Sequence, residues 1–319
     1  MASYVARRIL LMLPSLLGIS AVLFTILALA PGDPLAELAL DPSVPPDVRA
    51  ALRTQFGLDD PIGQRYWSWL SSMAVGNWGF SLVSRIDVDR LILQRLPVTL
   101  AIMGASQLLA LLIALPAGVL AAIKQHSWFD RIASTVALLG FSLPTFFTGV
   151  LCILLFSIRL NWLPFVFRVD LPGSGWKWAW EQVQQALMPV GVLALFQASS
   201  WMRYVRASVL EVLRLEHVTT ARSKGLPERV VIRRHVLRNA LGPLVTLIAL
   251  QLPVLFGGAI VTEQIFRIPG IGSLLIEAIL RSDTPVVMAV TFVYGTLVVL
   301  FNLVADVVYA CLDPRVQLT

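Results

Sequence analysis

Charged residues cluster along this chain and leave six long uncharged intervals: Ile9 to Ala30, Leu96 to Ile123, Ile132 to Ile158, Gln182 to Met202, Asn239 to Thr262 and Thr284 to Ala305. The shortest holds 21 residues, and a helix crosses the hydrocarbon core of a bilayer in about 20. The pattern predicts an all-α integral membrane protein with six transmembrane helices. A spanning barrel would show segments of about ten residues with alternating polarity, and the sequence has none. The first interval follows Arg7 and Arg8 and ends Ala28-Leu29-Ala30, in the manner of a secretory leader. Its 22 residues are long for a leader core, and Pro31 disfavours cleavage there, so it reads as an uncleaved first span.

Composition agrees, because 57% of the residues are apolar and 14% charged, more apolar surface than one soluble core can hide. With the N-terminus inside, the cytoplasmic segments hold 14 Lys and Arg. The short outer segments hold five, and acidic residues lean outward. That asymmetry places both termini in the cytoplasm. The basic balance is therefore a topology signal and points to no nucleic-acid partner. The expected organisation is a first transmembrane helix over 1–30, an outer region over 31–95 rich in Pro, Asp and Trp, and a five-helix core over 96–319 containing a cytoplasmic loop at 203–238. No internal repeat is visible. Asp306 is the one charge inside an interval's helix, and a structural bond to a neighbour suits it better than a proton relay.

Chemistry is mostly excluded. A phosphate loop needs Gly-Lys before Ser or Thr, and no Gly-Lys pair exists, so ATP is not bound in that manner. His-Glu-x-x-His and Gly-x-Ser-x-Gly are absent too. His126, His217 and His235 lack the spacing of metal ligands.

The loop at 203–238 reads as helix, stop, helix. Arg222 and Lys224 stand in the last turn of a short helix, where cations meet the negative dipole end, and Gly225 suits the left-handed residue that ends it. Pro227 fits the first turn of a second helix, with Glu228 beside its positive end. On that helix Val230, Leu237 and Leu241 are expected to share one face, with Arg229, Arg233, Arg234 and Arg238 mostly on others. A basic loop resting on anionic lipid head groups accounts for the composition. It does not account for a Gly-Leu-Pro break after a short polar helix.

Here the sequence resembles the permease family of type I ATP-binding-cassette (ABC) importers, whose cytoplasmic loop carries a Glu-Ala-Ala signature followed by Gly. Ala221 and Gly225 match, while Thr219 and Thr220 replace the first two signature positions. Thr220-Ala-Arg-Ser-Lys-Gly-Leu226 and His235-Val-Leu-Arg-Asn-Ala240 are similar to the branch that carries dipeptides, oligopeptides and nickel. So are Pro31-Gly-Asp-Pro34, Arg95-Leu-Pro-Val-Thr-Leu100, Phe141-Ser-Leu-Pro144 and Phe266-Arg-Ile-Pro-Gly-Ile-Gly272. Asn302 and Asp306, leading to Leu312-Asp-Pro-Arg315, complete the likeness.

The resemblance implies half of a translocation pore in a bacterial inner membrane. A second related permease subunit, two cytoplasmic ATPase subunits and an external substrate-binding protein would complete it, with membrane lipid around it. No cofactor would bind this chain, and ATP and Mg would sit in the partner subunits, so the chain is not expected to be an enzyme. Glu216, Ala221, Arg222, Lys224, Gly225, Leu226 and Pro227 would form the ATPase-coupling segment. Ser142, Gln197, Ser199 and Gln251 are polar groups inside the intervals. They suit a substrate pathway or interhelical hydrogen bonds equally, and Pro144 and Pro253 are candidate helix breaks beside a cavity. Di- or oligopeptides are the expected cargo, with nickel complexes, opines or oligosaccharides as alternatives. A proton-coupled peptide carrier is the alternative of another class, and a membrane scaffold or enzyme a further one.

Overall fold

The computed structural model describes residues 2–29, 59–81, 83–168 and 173–312, with a few isolated positions between 45 and 54. Pro31 to Pro34 and the 313–315 part of the C-terminal motif lie outside the described residues. Among the described residues the structure is helical, with one isolated antiparallel bridge between Phe80 and Asp87. In chain order, α1 is Ala2–Leu29, α2 Ile62–Ala74, α3 Val88–Ile123 and α4 Trp128–Ser142. Then α5 is Thr145–Arg159 and α6 Trp176–Leu213. A short α7, Glu216–Ser223, precedes α8 at 228–240, followed by α9 Gly242–Ile265, α10 Ile271–Leu280 and α11 Thr284–Leu312.

Three of these are long and apolar enough to cross a membrane, at Arg7–Leu29, Val88–Ile123 and Thr284–Val307, or four if α4 and α5 count as one span. The intervals 182–202 and 239–262 are helical as well, inside α6 and α9. The interval 132–158 is not the single straight helix its composition suggests. It bends by 105° between α4 and α5, because Pro144 clashes with a helical residue before it and Leu143 adopts the extended φ −80°, ψ 129°. At Pro253 the opposite holds, and α9 continues through that position.

Two compact units form. One contains residues 1–98 and 269–303, so that residues late in the sequence cluster with the first ones. In it α1 meets α2 through Ser20 and Tyr66, whose hydroxyls are 2.9 Å apart, and through edge-on packing of Phe24 on Tyr66. α11 approaches α1 closely at Gly295, where a Cβ would lie 2.9 Å from Ile19. Asp283, 3% exposed, accepts a 2.5 Å hydrogen bond from Ser81.

The second unit contains residues 99–268 and 304–319. Small residues let its helices touch: Ala110, Ala114, Ala121 and Ala122 of α3 are buried. A Cβ at Gly118 would lie 2.8 Å from the Met202 carbonyl and Val205 of α6. Gly140 of α4 leaves no room for a Cβ against Ser199 of α6. Such contacts carry helix association where lipid offers no hydrophobic gain. An ion pair fixes the same two helices. Asp130, in the first turn of α4, receives Nε and Nη2 of Arg206 at 2.6 and 2.8 Å, with its carboxylate 5% exposed. Large apolar side chains such as Leu108, Leu112, Leu138 and Leu139 stay more than half exposed, as a lipid-covered surface requires.

Candidate functional site

The segment from Leu215 to Leu241 is built around one break. Val218 and Ala221 are buried and hold α7 against the core of the second unit. Glu216, Arg222, Lys224, Gly225, Leu226 and Pro227 are exposed. Ala221 therefore packs inward, and the outer surface of the expected coupling segment consists of the other six. After Ser223 the chain turns on Gly225 at φ 74°, and the Gly225 N–H donates to the Arg222 carbonyl at 2.9 Å. Nothing lies within 4 Å of where a Cβ would stand on Gly225, so only the backbone conformation selects glycine there.

Pro227 sits one residue earlier than expected. At φ −64°, ψ 142° it is the residue before α8, and Glu228 opens the helix. Arg222 does more than meet a helix dipole. Its guanidinium spans the break and pairs with the Glu228 carboxylate, Nη2 to Oε1 2.6 Å and Nε to Oε2 3.2 Å. That contact holds Glu228 below the ordinary carboxylate pKa and Arg222 above its own. A second tie comes from Asn239, which donates to the His235 carbonyl at 2.9 Å and lies 3.3 Å from His217 Nε2.

The face expected on the second helix is corrected. Val231–Val236 is a π-helical stretch, whose bonds run from residue i to i+5 and take up an extra residue per turn. The buried positions are consequently Val231, Val236 and Ala240, while Val230 is 38% exposed. Leu237 and Leu241 pack on the core at its edge.

The polar residues inside the apolar intervals separate into two kinds. Gln197 and Gln251 meet, Nε2 to Oε1 3.3 Å, and the Trp201 indole N–H donates to the same Gln251 Oε1 at 2.6 Å. Trp201 is 1% exposed, and the sequence reading missed it because an indole in an apolar run looks like ordinary core. Ser142 and Ser199 instead donate to carbonyls of their own helices, Leu138 at 2.8 Å and Leu195 at 2.6 Å. Glu263 was also missed. It lies on α9 just past the uncharged interval, is 2% exposed, and accepts from Thr99 at 2.5 Å. Among the described residues no group of His, Cys, Asp and Glu suits a metal ion.

A family model of the binding-protein-dependent transport system inner membrane component matches residues 114–318, and a model of the N-terminal part of such membrane components matches residues 1–103. The chain belongs to this permease family. The permease is 38% identical to the oligopeptide transport system permease protein AppB of Bacillus subtilis over 318 residues, 99% of this chain and 100% of the relative. It is 38% identical to the di/tripeptide transport system permease protein DppB of Pseudomonas aeruginosa over 333 residues, 99% of each. It is 36% identical to the glutathione transport system permease protein GsiC of Escherichia coli K12, again over 99% of each. Among solved structures, the MetNI methionine ABC transporter gives a TM-score of 0.56 at 18% identity, covering 70% of this chain and 96% of that one. An amino acid ABC transporter gives 0.55 at 13%, covering 70% and 94%. These two establish the type I ABC importer transmembrane-domain fold.

Proposed function

We propose that this permease forms half of the translocation pathway of an importer for di- or oligopeptides. In this reading an external binding protein delivers the cargo, a second related permease completes the pathway, and two cytoplasmic ATPases drive it, with both termini of this chain in the cytoplasm. The observation that carries the cargo assignment is full-length similarity to permeases named for oligopeptides, di/tripeptides and glutathione, itself a tripeptide. A proton-coupled carrier is not favoured, since the family is binding-protein-dependent.

Exposed Glu216, Arg222, Lys224, Gly225, Leu226 and Pro227 are the surface that docks on an ATPase, with Ala221 as its inner anchor. The reading is supported by a break fixed twice, by the left-handed Gly225 and by the Arg222–Glu228 bridge. A rigid corner carries a rocking motion between subunits where a mobile loop would absorb it. Gln197 with Gln251 is the better candidate for a pathway contact, because their shared bond engages Gln197 Nε2 and Gln251 Oε1 and leaves each amide its other polar atom, whereas Ser142 and Ser199 donate their hydroxyls to their own helices.

Reconstitution of the complete complex tests the reading. Peptide uptake should require the binding protein and ATP, and mass spectrometry should find a peptide retained by that binding protein. Uptake by this chain alone, driven by a proton gradient, would overturn it.

A further inference from the structure

Four arginines of α8 remain outside the docking surface. Arg229, Arg233, Arg234 and Arg238, together with Val230, line an open cavity of about 480 Å³. In an unbroken α-helix, at roughly 100° per residue, Arg229 and Arg238 would point about 180° apart. The π-helical stretch Val231–Val236 gathers them instead: their spacings of four and five residues suit a turn closed by i to i+5 bonds. The same extra residue puts Val231, Val236 and Ala240 on the buried side. The stretch thus converts a scattered set of cations into one stripe. Among the described residues no carboxylate pairs with any of the four, whereas Arg222 across the break is paired and Arg206 is paired in the core.

Position selects the ligand. Arg238 stands four residues before Gly242, where α9 begins within the uncharged interval 239–262. A stripe that ends where an apolar helix starts lies at the depth of lipid phosphates, and basic clusters just cytoplasmic of a spanning helix attract anionic lipid. Exposed Val230 among the guanidiniums offers apolar contact to the glycerol side of a head group, and guanidinium forks fit phosphate oxygens in pairs. We propose that Arg229, Arg233, Arg234 and Arg238 form a binding site for the head-group phosphate of an anionic phospholipid. The loop then divides its work: residues 216–227 face the protein partner, and the arginine stripe of α8 holds the bilayer. The lipid site does not depend on which cargo is carried.

The test uses the intact importer in nanodiscs of phosphatidylcholine containing a photoreactive phosphatidylglycerol. The label should map to residues 228–241. Arg233→Gln with Arg234→Gln should lower labelling about fivefold for each charge removed, and the corresponding Lys pair should retain most of it. A photoreactive phosphatidylcholine should label wild type and the Gln variant equally, and millimolar inorganic phosphate should not compete. The proposal is overturned if the Gln variant labels like wild type. It is equally overturned if inorganic phosphate displaces the lipid, or if the Gln variant sheds its ATPase subunits, which would assign the stripe to the protein partner.

Discussion

Two of the permease's described helix breaks lie at prolines with nearly the same backbone: φ −58°, ψ 139° at Pro144 and φ −64°, ψ 142° at Pro227. What precedes and bridges them differs. Leu143 is extended and carries no side-chain tie across the bend, and the neighbouring hydroxyls of Ser142 and Thr148 simply satisfy carbonyls, Leu138 O at 2.8 Å and Pro144 O at 3.3 Å. At the other break a left-handed glycine follows the end of the helix and an ion pair spans the break. The first bend rests on proline's exclusion of a helical neighbour and on packing, such as Gly149 of α5 against Ile265 and Phe266. The second is fixed by local bonds that survive exposure to water. Within an apolar stretch the steric rule works together with neighbours that pack on the bend, because carbonyls freed there must find partners inside the protein; the exposed corner carries its own bonds.

Removing the rule at the first bend should have the largest effect. Pro144→Ala restores a backbone N–H and permits a helical Leu143, a swing of about 3 kcal/mol toward a straight helix. Uptake is expected to fall by about tenfold or more, and spin labels at residues 136 and 151 should move apart. An unchanged label distance would show that packing alone holds the bend.

Gly225→Val comes next. A left-handed β-branched residue costs about 1–2 kcal/mol, a factor of roughly 5–30 in conformer population, and with open space around the site no clash confuses the result. Uptake per ATP should drop by that order while the protein stays folded in the membrane; unchanged coupling in a reconstituted complex would contradict the docking assignment. Gly225→Asn, which tolerates the left-handed region, should be milder.

Arg222→Gln and Glu228→Gln should each have a smaller effect, since the bridge is about half exposed and such pairs contribute at most ~1 kcal/mol. The double variant should behave like either single one. Additive losses in ATPase association would mean that the two side chains contact the partner separately.

The smallest effect is that of pH. Because Arg222 depresses the Glu228 carboxyl in the folded protein, the bridge's contribution is fully present above the ordinary glutamate value of about 4.3. It is lost as pH falls through the lower folded value. ATPase association between pH 6 and 8 should therefore not change through this pair, and a change in that window abolished by Glu228→Gln would refute the assignment.

What the sequence made legible follows the range of the forces involved. The Gly225 break was readable because a cation-rich last turn, a glycine and a proline act within a few residues. The bend at Pro144 was half readable: the proline was visible, but the 105° angle was not, and the residues packed beside the bend, such as Ile265 and Phe266 against Gly149, lie far along the chain. The π-helical stretch left no local signature, so an α-helical period placed Val230 on the inner face when Val231 and Val236 belong there. Trp201 with Gln251, and Glu263 with Thr99, are joined across 50 and 164 residues respectively, beyond the reach of any periodicity argument.

The Asp130 and Arg206 pair joins residues 76 apart in the chain, and that separation becomes a delay during synthesis. At about 5–20 residues per second a ribosome needs roughly 4 to 15 seconds to pass from one to the other. Through that interval the acid in the first turn of α4 waits without its partner, and the Gly140 notch has no Ser199 to receive. The α4–α6 contact is therefore an event of late assembly, and whatever shelters the nascent chain at the membrane must accommodate an unneutralised carboxylate until α6 emerges.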